Sequence, residues 1–527
     1  MPSSQPAAGR RQNLLPGLLL SALSGSLLAL SFPRFNLEFL AWFAFVPLFL
    51  ALRNKSKRIS FLLAFLCGVV FWSVTICWLV NVTFPGTIVL ALYLALFFGL
   101  FGIFVPLSSG LSCPARALFI PSLWVLVEYL RSHLFTGFPW ALLGYSQYLN
   151  LPAIQIADIF GAWGVSFAVM AVNSGIYQFA GLRRPAGFRQ KLRVLSVPFA
   201  ILALVFGYGY FKLFRSSAPA DQAGRYVKIS VIQGNIPQEL KWYPEARGRI
   251  IEKYSDLSRL AARDRPDLIV WPEAALPVVL EEEPQYYGMV RGLAREIRTP
   301  LLFGAVTAVS EKFYNSAVLV SAEGEPVRRY NKLHLVPFGE YIPLRDALPF
   351  LQTIAPIGDV SPGREYSVFG LYKPGEAEYP ALSKFSVLIC FEDVFPEISR
   401  RFVNNGAQYL INITNDAWYK RTFASYQHCQ ASVFRAVENR VFVVRSANTG
   451  ISGFISPEGC LVSAVADNSG NEIFVGGFKT ASIPLRRPVH TVYTRAGDKL
   501  MMILCSLAAV FSWIALSAAR KKRSRYV

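Results

Sequence analysis

Residues 385–393 read FSVLICFED, an apolar strand pattern that ends at Cys390 and continues into two acids and then a helical pattern. A short apolar run of this length is typical of a strand buried on both faces. A cysteine at its end is consistent with two roles. It is either a small buried side chain, as free cysteines commonly are, or a reactive thiol at a strand-to-helix turn.

Two other strand patterns end in charged side chains. Residues 267–273, DLIVWPE, form a buried-strand pattern stopped by a proline, with Glu273 directly after it. Residues 330–341, YNKLHLVPFGEY, place Lys332 and Glu340 around an apolar turn. Taken singly, such charges are typical of solvated surface positions. Beside a thiol, a carboxylate and an ammonium are also the groups that nucleophilic catalysis requires.

The same part of the chain alternates short β-rich runs with amphipathic helical patterns. Strands interleaved with helices predict a layered α/β domain rather than a β-sandwich. The roughly 270 residues involved are ample for a buried core. The predicted strands are 227–233, 267–271, 301–306, 317–321, 385–390, 408–414 and 441–447, and the clearest helices are 245–263 and 427–439.

The composition of the whole chain predicts that this domain is attached to a membrane. The 527 residues are 53% apolar and 16% charged, with a mean hydropathy of +0.37, too apolar for a wholly soluble protein. The net charge is +20, yet residues 215–495 hold 32 basic and 29 acidic residues, against 21 and 4 in the remainder. The basic excess lies beside apolar segments, where it sets membrane orientation, so no nucleic-acid partner is expected.

Apolar stretches near the length of a bilayer core, roughly 30 Å, predict about eight transmembrane helices. Basic residues cluster in every second connection, which predicts cytoplasmic termini and a domain on the periplasmic face of a bacterial inner membrane. The first stretch follows Arg10 and Arg11 and also fits a secretory signal, but further stretches follow at once. The predicted spans are 13–32, 37–52, 60–80, 86–109, 115–133, 158–180, 194–213 and 500–519.

The chain therefore divides into three predicted parts. Residues 1–213 form a membrane domain of about seven helices, residues 214–496 the periplasmic catalytic domain, and residues 497–527 a last helix with a basic cytoplasmic tail. The orientation rests in part on Arg183 and Arg184, which follow the sixth span.

One connection carries ionisable and aromatic residues at the membrane boundary. Glu128 and Arg131 are three residues apart and can share a helix face, and residues 136–147 follow them. An interfacial aromatic belt with a structural ion pair is one interpretation. A lining for a lipid or substrate entrance is the other.

Neither a disulfide framework nor a metal or cofactor site is expected. Of seven cysteines, only Cys390, Cys429 and Cys460 lie in the exported part, and whether the last two pair is left open. The four histidines are scattered, and the chain lacks HExxH, CxxC and a phosphate-binding loop.

Taken together, the three strand ends resemble the nitrilase superfamily. With membrane spans on both sides, the chain looks most similar to the apolipoprotein N-acyltransferases. The resemblance covers nearly the whole chain. It is also carried by residues 233–238 (QGNIPQ) with 241–242 (KW), 313–316 (FYNS), 414–418 (TNDAW) and the loop 136–147. One departure is Phe391, where the family often has tyrosine directly after the nucleophile.

The resemblance implies an αββα sandwich inserted between the seventh and eighth spans. It also implies a two-step reaction in which an acyl group passes from a phospholipid to Cys390 and then to the amine of a diacylglyceryl-cysteine lipoprotein. The implied catalytic triad is Glu273, Lys332 and Cys390.

Physical chemistry assigns roles that fit this triad. A thiolate is a strong nucleophile and leaves well from a thioester, and a helix amino terminus and an ammonium are expected to lower the pKa of Cys390. Glu273 would move the protons and Lys332 would hold the oxyanion. Supporting roles are expected for Glu340, Glu392 and Asn315, and substrate contacts for Trp242, Tyr341, Phe391, Trp140 and Tyr145.

Three rival functions remain open from sequence. A membrane-tethered amidase would use the same triad but transfer the acyl group to water, although one membrane anchor would suffice for a soluble substrate. A papain-like hydrolase would need His334 or His428 as its base. A transporter would leave the three strand ends unexplained.

Overall fold

The computed structural model describes residues 14–182, 187–216, 224–341, 360–372, 381–485 and 490–524. Apolar helices come first in the chain, a two-sheet α/β unit follows, and one further apolar helix comes last. The basic residues Arg10, Arg11, Arg183 and Arg184, which support the predicted orientation, lie outside the described residues, as do the side chains of 520–523.

The helices before the sheets are predominantly apolar. They are α1 (Leu15–Leu30), α2 (Val46–Leu52), α3 (Lys57–Thr75), α4 (Phe84–Phe104), α5 (Cys113–His133), α6 (Leu151–Ile154), α7 (Ala157–Ala180) and α8 (Phe188–Ser216). The later helices are α9 (Pro244–Ala262), α10 (Pro284–Ile297), α11 (Pro396–Asn404), α12 (Ala424–Asn439), α13 (Val492–Ala496) and α14 (Lys499–Ser524).

Within the described residues, six helices are long and apolar enough to cross a membrane: α3, α4 with its 3-10 continuation to Gly110, α5, α7, α8 and α14. The first two predicted spans are shorter. At 1.5 Å per residue α1 covers about 24 Å, less than a bilayer core of roughly 30 Å. The second is divided into a 3-10 helix, Glu38–Trp42, and α2, which starts at Val46 with Pro47 in its first turn. The expected total of about eight spans stays a prediction.

Two sheets form the core of the α/β unit. The first has the order β13-β1-β2-β4-β5-β6, with β3 beside β4, and the second has the order β12-β11-β10-β9-β8-β7. The strands are β1 (Tyr226–Gln233), β2 (Leu268–Val270), β3 (Leu276–Val279), β4 (Leu301–Val309), β5 (Lys312–Val320), β6 (Pro326–Asn331), β7 (Phe369–Leu371), β8 (Ser383–Ile389), β9 (Tyr409–Thr414), β10 (Phe442–Ala447), β11 (Gly453–Ile455), β12 (Leu461–Ala464) and β13 (Gly477–Pro484).

The sheets pack face to face through β1 against β10 and β5 against β8, with α9 and α10 on one outer face and α11 and α12 on the other. Because both faces of the inner strands are covered, β2 and β9 are buried at every residue. Ser446 on β10 donates hydrogen bonds to carbonyls of Ile232 and Val270 in the opposite sheet. The predicted αββα sandwich is confirmed.

Helix α12 joins the sandwich to the membrane helices. It packs on β10 from one side and on α7 from the other, so nearly all of its residues are buried. Glu438 near its end accepts a hydrogen bond from the backbone N–H of Ala162 in α7 at 3.2 Å. Just beyond it, Arg440 pairs with Asp158 at 2.8 Å. The sandwich is therefore seated directly on the helix bundle.

Candidate active site

The nucleophile candidate lies at a sharp turn after β8. The strand ends at Ile389 rather than continuing to 390, and Cys390 opens a short 3-10 helix, Cys390–Val394, rather than an α-helix. Cys390 has a φ of +53°, in the left-handed region that residues other than glycine seldom adopt. Its carbonyl is held by Asn412 Nδ2 at 3.1 Å, with His428 Nε2 3.3 Å away. This is the geometry of a nucleophile elbow.

Glu392 ties that turn to the segment that carries Lys332. One carboxylate oxygen of the fully buried Glu392 accepts from the backbone N–H of Ile389 at 2.7 Å. The other accepts from the backbone N–H of Leu333 at 2.6 Å and from the Tyr330 hydroxyl at 2.7 Å. Burial raises the pKa of Glu392 to about 7. Two strand ends from different sheets are thus fixed to one carboxyl group.

Lys332 is buried between two carboxylates. Its side chain is 1% exposed, and Nζ lies 2.8 Å from Glu340 Oε2 and 3.6 Å from Glu273 Oε1. Burial by itself lowers the pKa of an ammonium, but Glu340 and Glu273 outweigh it and raise the pKa of Lys332 above its usual range. The group therefore remains a cation near neutral pH.

Asn315 on β5 bridges the two carboxylates. Its Nδ2 donates to Glu273 Oε1 at 2.8 Å and to Glu340 Oε1 at 2.7 Å. Glu340 also accepts from the backbone N–H of Val336 at 2.8 Å. Glu273, Asn315, Lys332 and Glu340 therefore form one hydrogen-bonded cluster from three separate segments of the chain.

The charge state of Cys390 differs from the prediction. Burial and, after it, the Glu273 carboxylate raise the pKa of the Cys390 thiol well above its ordinary value, and the Lys332 ammonium offsets only part of this. The expectation of a lowered pKa is wrong, because the site is enclosed and carries a carboxylate as well as an ammonium. A thiol that is protonated at rest needs a base when it reacts.

The turn that carries Glu273 packs against Gly304 on β4 and accepts a hydrogen bond from Lys241. Gly304 on β4 lies so close that an added Cβ would be 2.5 Å from the backbone nitrogen of Ala274 and 2.7 Å from Glu273 Cα. Lys241, 1% exposed, donates from Nζ to the Glu273 carbonyl at 3.0 Å. Burial lowers the pKa of Lys241 to about 8. In the sequence Lys241 is only part of a motif, because nothing in its spacing indicates burial beside the Glu273 turn.

Loops between the membrane helices and two 3-10 helices of the sandwich together form a wall of aromatic side chains beside Cys390. We call this the aromatic wall: Trp78, Phe138, Trp140, Phe391 and Tyr419. Trp140 stacks on Phe391 with 6.1 Å between ring centroids, and Trp78 contacts Tyr419 at 4.5 Å. The residue that departs from the family's usual tyrosine, Phe391, therefore extends this apolar surface.

Three other predicted substrate contacts, Tyr145, Trp242 and Tyr341, are not part of the aromatic wall. Tyr145 is buried against Phe434 on α12, with ring centroids 4.8 Å apart, and its hydroxyl accepts from Arg435. None of these contacts joins it to Cys390. Trp242 is 46% exposed in the segment that includes Lys241. Tyr341 follows Glu340 and is partly exposed.

Glu128 and Arg131 both hold the loop that carries Trp140. Arg131 Nη1 donates to the carbonyls of Phe138 at 2.6 Å and Trp140 at 2.9 Å. Glu128 accepts from the backbone N–H of Leu143 at 2.7 Å. Glu128 and Arg131 therefore have a structural role beside the site, and the interpretation of this connection as a lipid or substrate entrance stays a prediction.

Neither histidine near Cys390 is suited to accept the proton of the thiol. His428 lies between Asp416, 2.8 Å from Nδ1, and Asp393, 3.0 Å from Nε2. Burial opposes its charge, but the two carboxylates raise the pKa of His428 to about 9. Burial and Lys332 lower the pKa of His334 to about 4. The two carboxylates on His428 and the low pKa of His334 disfavour the papain-like interpretation.

Comparisons with known proteins match the chain in two segments. Residues 24–175 match the family model "Apolipoprotein N-acyltransferase N-terminal domain", and residues 228–481 match "Carbon-nitrogen hydrolase". An apolipoprotein N-acyltransferase of Geobacter metallireducens is 40% identical over 84% of this chain and 85% of its own. One of Methylococcus capsulatus is 33% identical over 84% and 87%. Among solved structures, an amidase from Nesterenkonia sp. is 18% identical, with a TM-score of 0.37, over 54% of this chain and 98% of its own.

Gly304→Ala tests whether the Glu273 turn depends on the strand beneath it. The added methyl group would push on Ala274 and Glu273, so we expect activity to fall at least about tenfold, since small displacements of a catalytic group are costly. The matched control is Gly292→Ala on α10, where no atom lies within 4 Å of the added Cβ and the helix should gain stability. Equal activity of the two variants, each measured as acyl transfer, would contradict the dependence.

The raised pKa of Cys390 predicts how the reactivity of the thiol depends on pH. A group whose pKa is raised stays protonated as pH increases toward that pKa, so the thiolate fraction should grow about tenfold per pH unit across about pH 7 to 9. Alkylation of Cys390 by a neutral reagent, followed by mass spectrometry of its peptide, should accelerate throughout this range. A plateau below about pH 8 would mean a low-pKa thiolate at rest.

Proposed function

The chain belongs to the apolipoprotein N-acyltransferase family, and from this membership we propose that it moves a fatty acyl chain from a phospholipid to the amine of a diacylglyceryl-cysteine lipoprotein. The observation that carries the proposal is the composition of the site. A buried thiol lies with a carboxylate and an ammonium at strand ends, and loops of the membrane helices form an apolar wall beside it. Water-soluble amides would not need that wall.

In the first step Glu273 takes the proton of the Cys390 thiol as sulfur attacks the carbonyl carbon of a phospholipid ester. The charge that develops on the carbonyl oxygen is stabilised by the Lys332 ammonium, which is already fixed in a water-poor site. The tetrahedral intermediate then expels the alkoxide of the lysophospholipid, which receives the proton from Glu273. A thioester on Cys390 and a lysophospholipid result.

In the second step the lipoprotein's α-amine attacks the thioester. Glu273 takes a proton from the nitrogen, Lys332 again holds the oxyanion, and the Cys390 sulfur leaves and regains a proton. The amide product and the resting thiol result. The aromatic wall shields one side of the thioester from water, which favours transfer to an amine over hydrolysis.

The remaining site residues are proposed to position the triad. Asn315 and Glu340 fix the distance between Glu273 and Lys332. Glu392 joins the Cys390 turn to the Lys332 segment. Trp242 and Tyr341 remain proposed substrate contacts on the basis of sequence, and Tyr145 is proposed to act through α12, where its described contacts lie.

Family and helices together identify an inner-membrane protein. The orientation is a proposal: the sandwich is periplasmic and both termini are cytoplasmic, because basic residues cluster in alternate connections. The acceptor lipoprotein is proposed to approach from the periplasmic side. The donor phospholipid would enter laterally from the bilayer.

Substitutions of the triad test the reaction. With phospholipid and a diacylated lipopeptide, Cys390→Ala should abolish transfer. Glu273→Gln should lower the rate of transfer about 10²–10⁴-fold, because proton transfer is lost. Lys332→Met should lower it about 10²–10³-fold, because the contact with the oxyanion is lost. The transferred acyl chain is measured by mass spectrometry of the lipopeptide.

The control variant is Cys460→Ala, because this cysteine is exposed and is not part of the Glu273–Lys332 cluster, so it should retain transfer. Phospholipid alone should leave an acyl mass on Cys390 that hydroxylamine removes. An adduct on another residue, or release of free fatty acid with no amide product, would contradict the proposed reaction.

Orientation is tested with single cysteines at exposed positions. Asn54 lies between α2 and α3, and Glu282 lies between β3 and α10. Each is replaced by cysteine, singly, in a protein that lacks the exposed cysteines Cys77 and Cys460. A membrane-impermeant maleimide added to spheroplasts should label position 282 and spare position 54 until the membrane is opened. The reverse pattern would place the sandwich in the cytoplasm.

A further inference from the structure

Gln427 on α12 connects three separate parts of the membrane domain. Its side chain is 4% exposed. Oε1 accepts from the indole N–H of Trp78 at 3.0 Å and of Trp140 at 2.8 Å. Nε2 donates to the carbonyls of Pro33 and Thr75, each at 3.1 Å. All four hydrogen-bonding positions of one buried amide are therefore used across a single interface.

The chemistry of these partners requires an amide of this length. Two indole N–H groups need an acceptor, and two carbonyls need donors, so only a group with both functions satisfies all four. A carboxylate would keep the two indole bonds and face two carbonyl oxygens without a proton. A thioether would remove these bonds from the Trp140 indole and the Pro33 carbonyl, whereas Trp78 and Thr75 would keep the 3.1 Å bond that the Trp78 indole also donates to the Thr75 carbonyl.

The partners of Gln427 are also the supports of the aromatic wall. Trp78 and Trp140 are two of its members, and they contact Tyr419 and Phe391 respectively. The next residue of α12, His428, lies 3.3 Å from the carbonyl of Cys390. Neighbouring residues of one helix thus hold the apolar wall and the nucleophile turn.

We propose that Gln427 is a positioning residue that sets the distance between the aromatic wall and Cys390, and thereby sets how the donor's acyl chain is held during thioester formation. The proposal rests on the proposed function, because the wall matters only if an acyl chain lies against it. Gln427 does not touch the reacting atoms. Its loss should therefore weaken use of the lipid donor without changing the intrinsic reactivity of the thiol.

The test compares Gln427→Met with Gln430→Met. Gln430 lies one turn further along α12, is equally buried, and donates one hydrogen bond across the same interface, to the carbonyl of Tyr145 at 3.0 Å. For each variant, single-turnover thioester formation is measured with phosphatidylethanolamines of increasing acyl length. Alkylation of Cys390 by a small neutral reagent is measured in parallel.

Gln427→Met should lower kcat/KM for the lipid at least about tenfold, because small displacements of groups that position a substrate are costly to rate, and should flatten the dependence on acyl length. Alkylation should stay within about twofold of wild type, and Gln430→Met should keep the wild-type length preference. Unchanged kcat/KM and length preference in Gln427→Met would overturn the proposal. So would an equal change in Gln430→Met, or a parallel loss of alkylation.

Gln427→Glu keeps the shape of the side chain and guards against a folding defect. Ionised, it lacks both donors, whereas protonation returns one, so its defect relative to wild type at the same pH should shrink as pH falls. Wild-type thioester formation by Gln427→Glu at high pH, or a defect that grows as pH falls, would contradict the role of the two carbonyl bonds. If wild-type protein itself forms no thioester, the proposed function fails; if it does and the variants match it, only the role of Gln427 fails.

Discussion

The burial of a lysine ammonium constrains the rest of this molecule. A cation that is 1% exposed is strongly unfavourable unless carboxylates and hydrogen bonds surround it, and Lys332 obtains them from Glu340 and Glu273. Glu273 is far from Lys332 and Glu340 in sequence, so their meeting requires the first sheet to be assembled with β2, β4, β5 and β6 in register. Asn315 then fixes the two carboxylates relative to each other, because its side-chain amide donates a hydrogen bond to each of them.

The second sheet delivers the thiol to that cluster, and the membrane helices complete its surroundings. Glu392 fixes the Cys390 turn to the segment that begins at Lys332, so the two sheets share one carboxyl group. On the other side, α12 packs between β10 and α7 and carries the contacts that hold the aromatic wall. The direct seating of the sandwich on the helices therefore places aromatic side chains of the membrane loops beside the Cys390 turn.

Sequence predicted the features that depend on local pattern. The strand patterns before Glu273 and Cys390 are strong because buried strands are uniformly apolar, and the two-sheet sandwich followed from the resemblance those residues carry. Features that depend on three-dimensional enclosure were not predictable. The direction of the pKa shift of Cys390 depends on burial, and Lys241 and Gln427 look like ordinary polar residues until their surroundings are known. The division of the second apolar stretch between Trp42 and Val46 was not predictable either, because the residues on both sides of it are apolar.

The central claim is that the Cys390 thioester is the species that delivers the acyl chain. It is tested most directly by isolating the acylated protein free of phospholipid and mixing it rapidly with a diacylated lipopeptide. The account predicts that the acyl group leaves Cys390 and appears as an amide on the lipopeptide in equal amount, at least as fast as steady-state turnover. An acyl group that stays on the protein, passes to water, or transfers more slowly than turnover would contradict it.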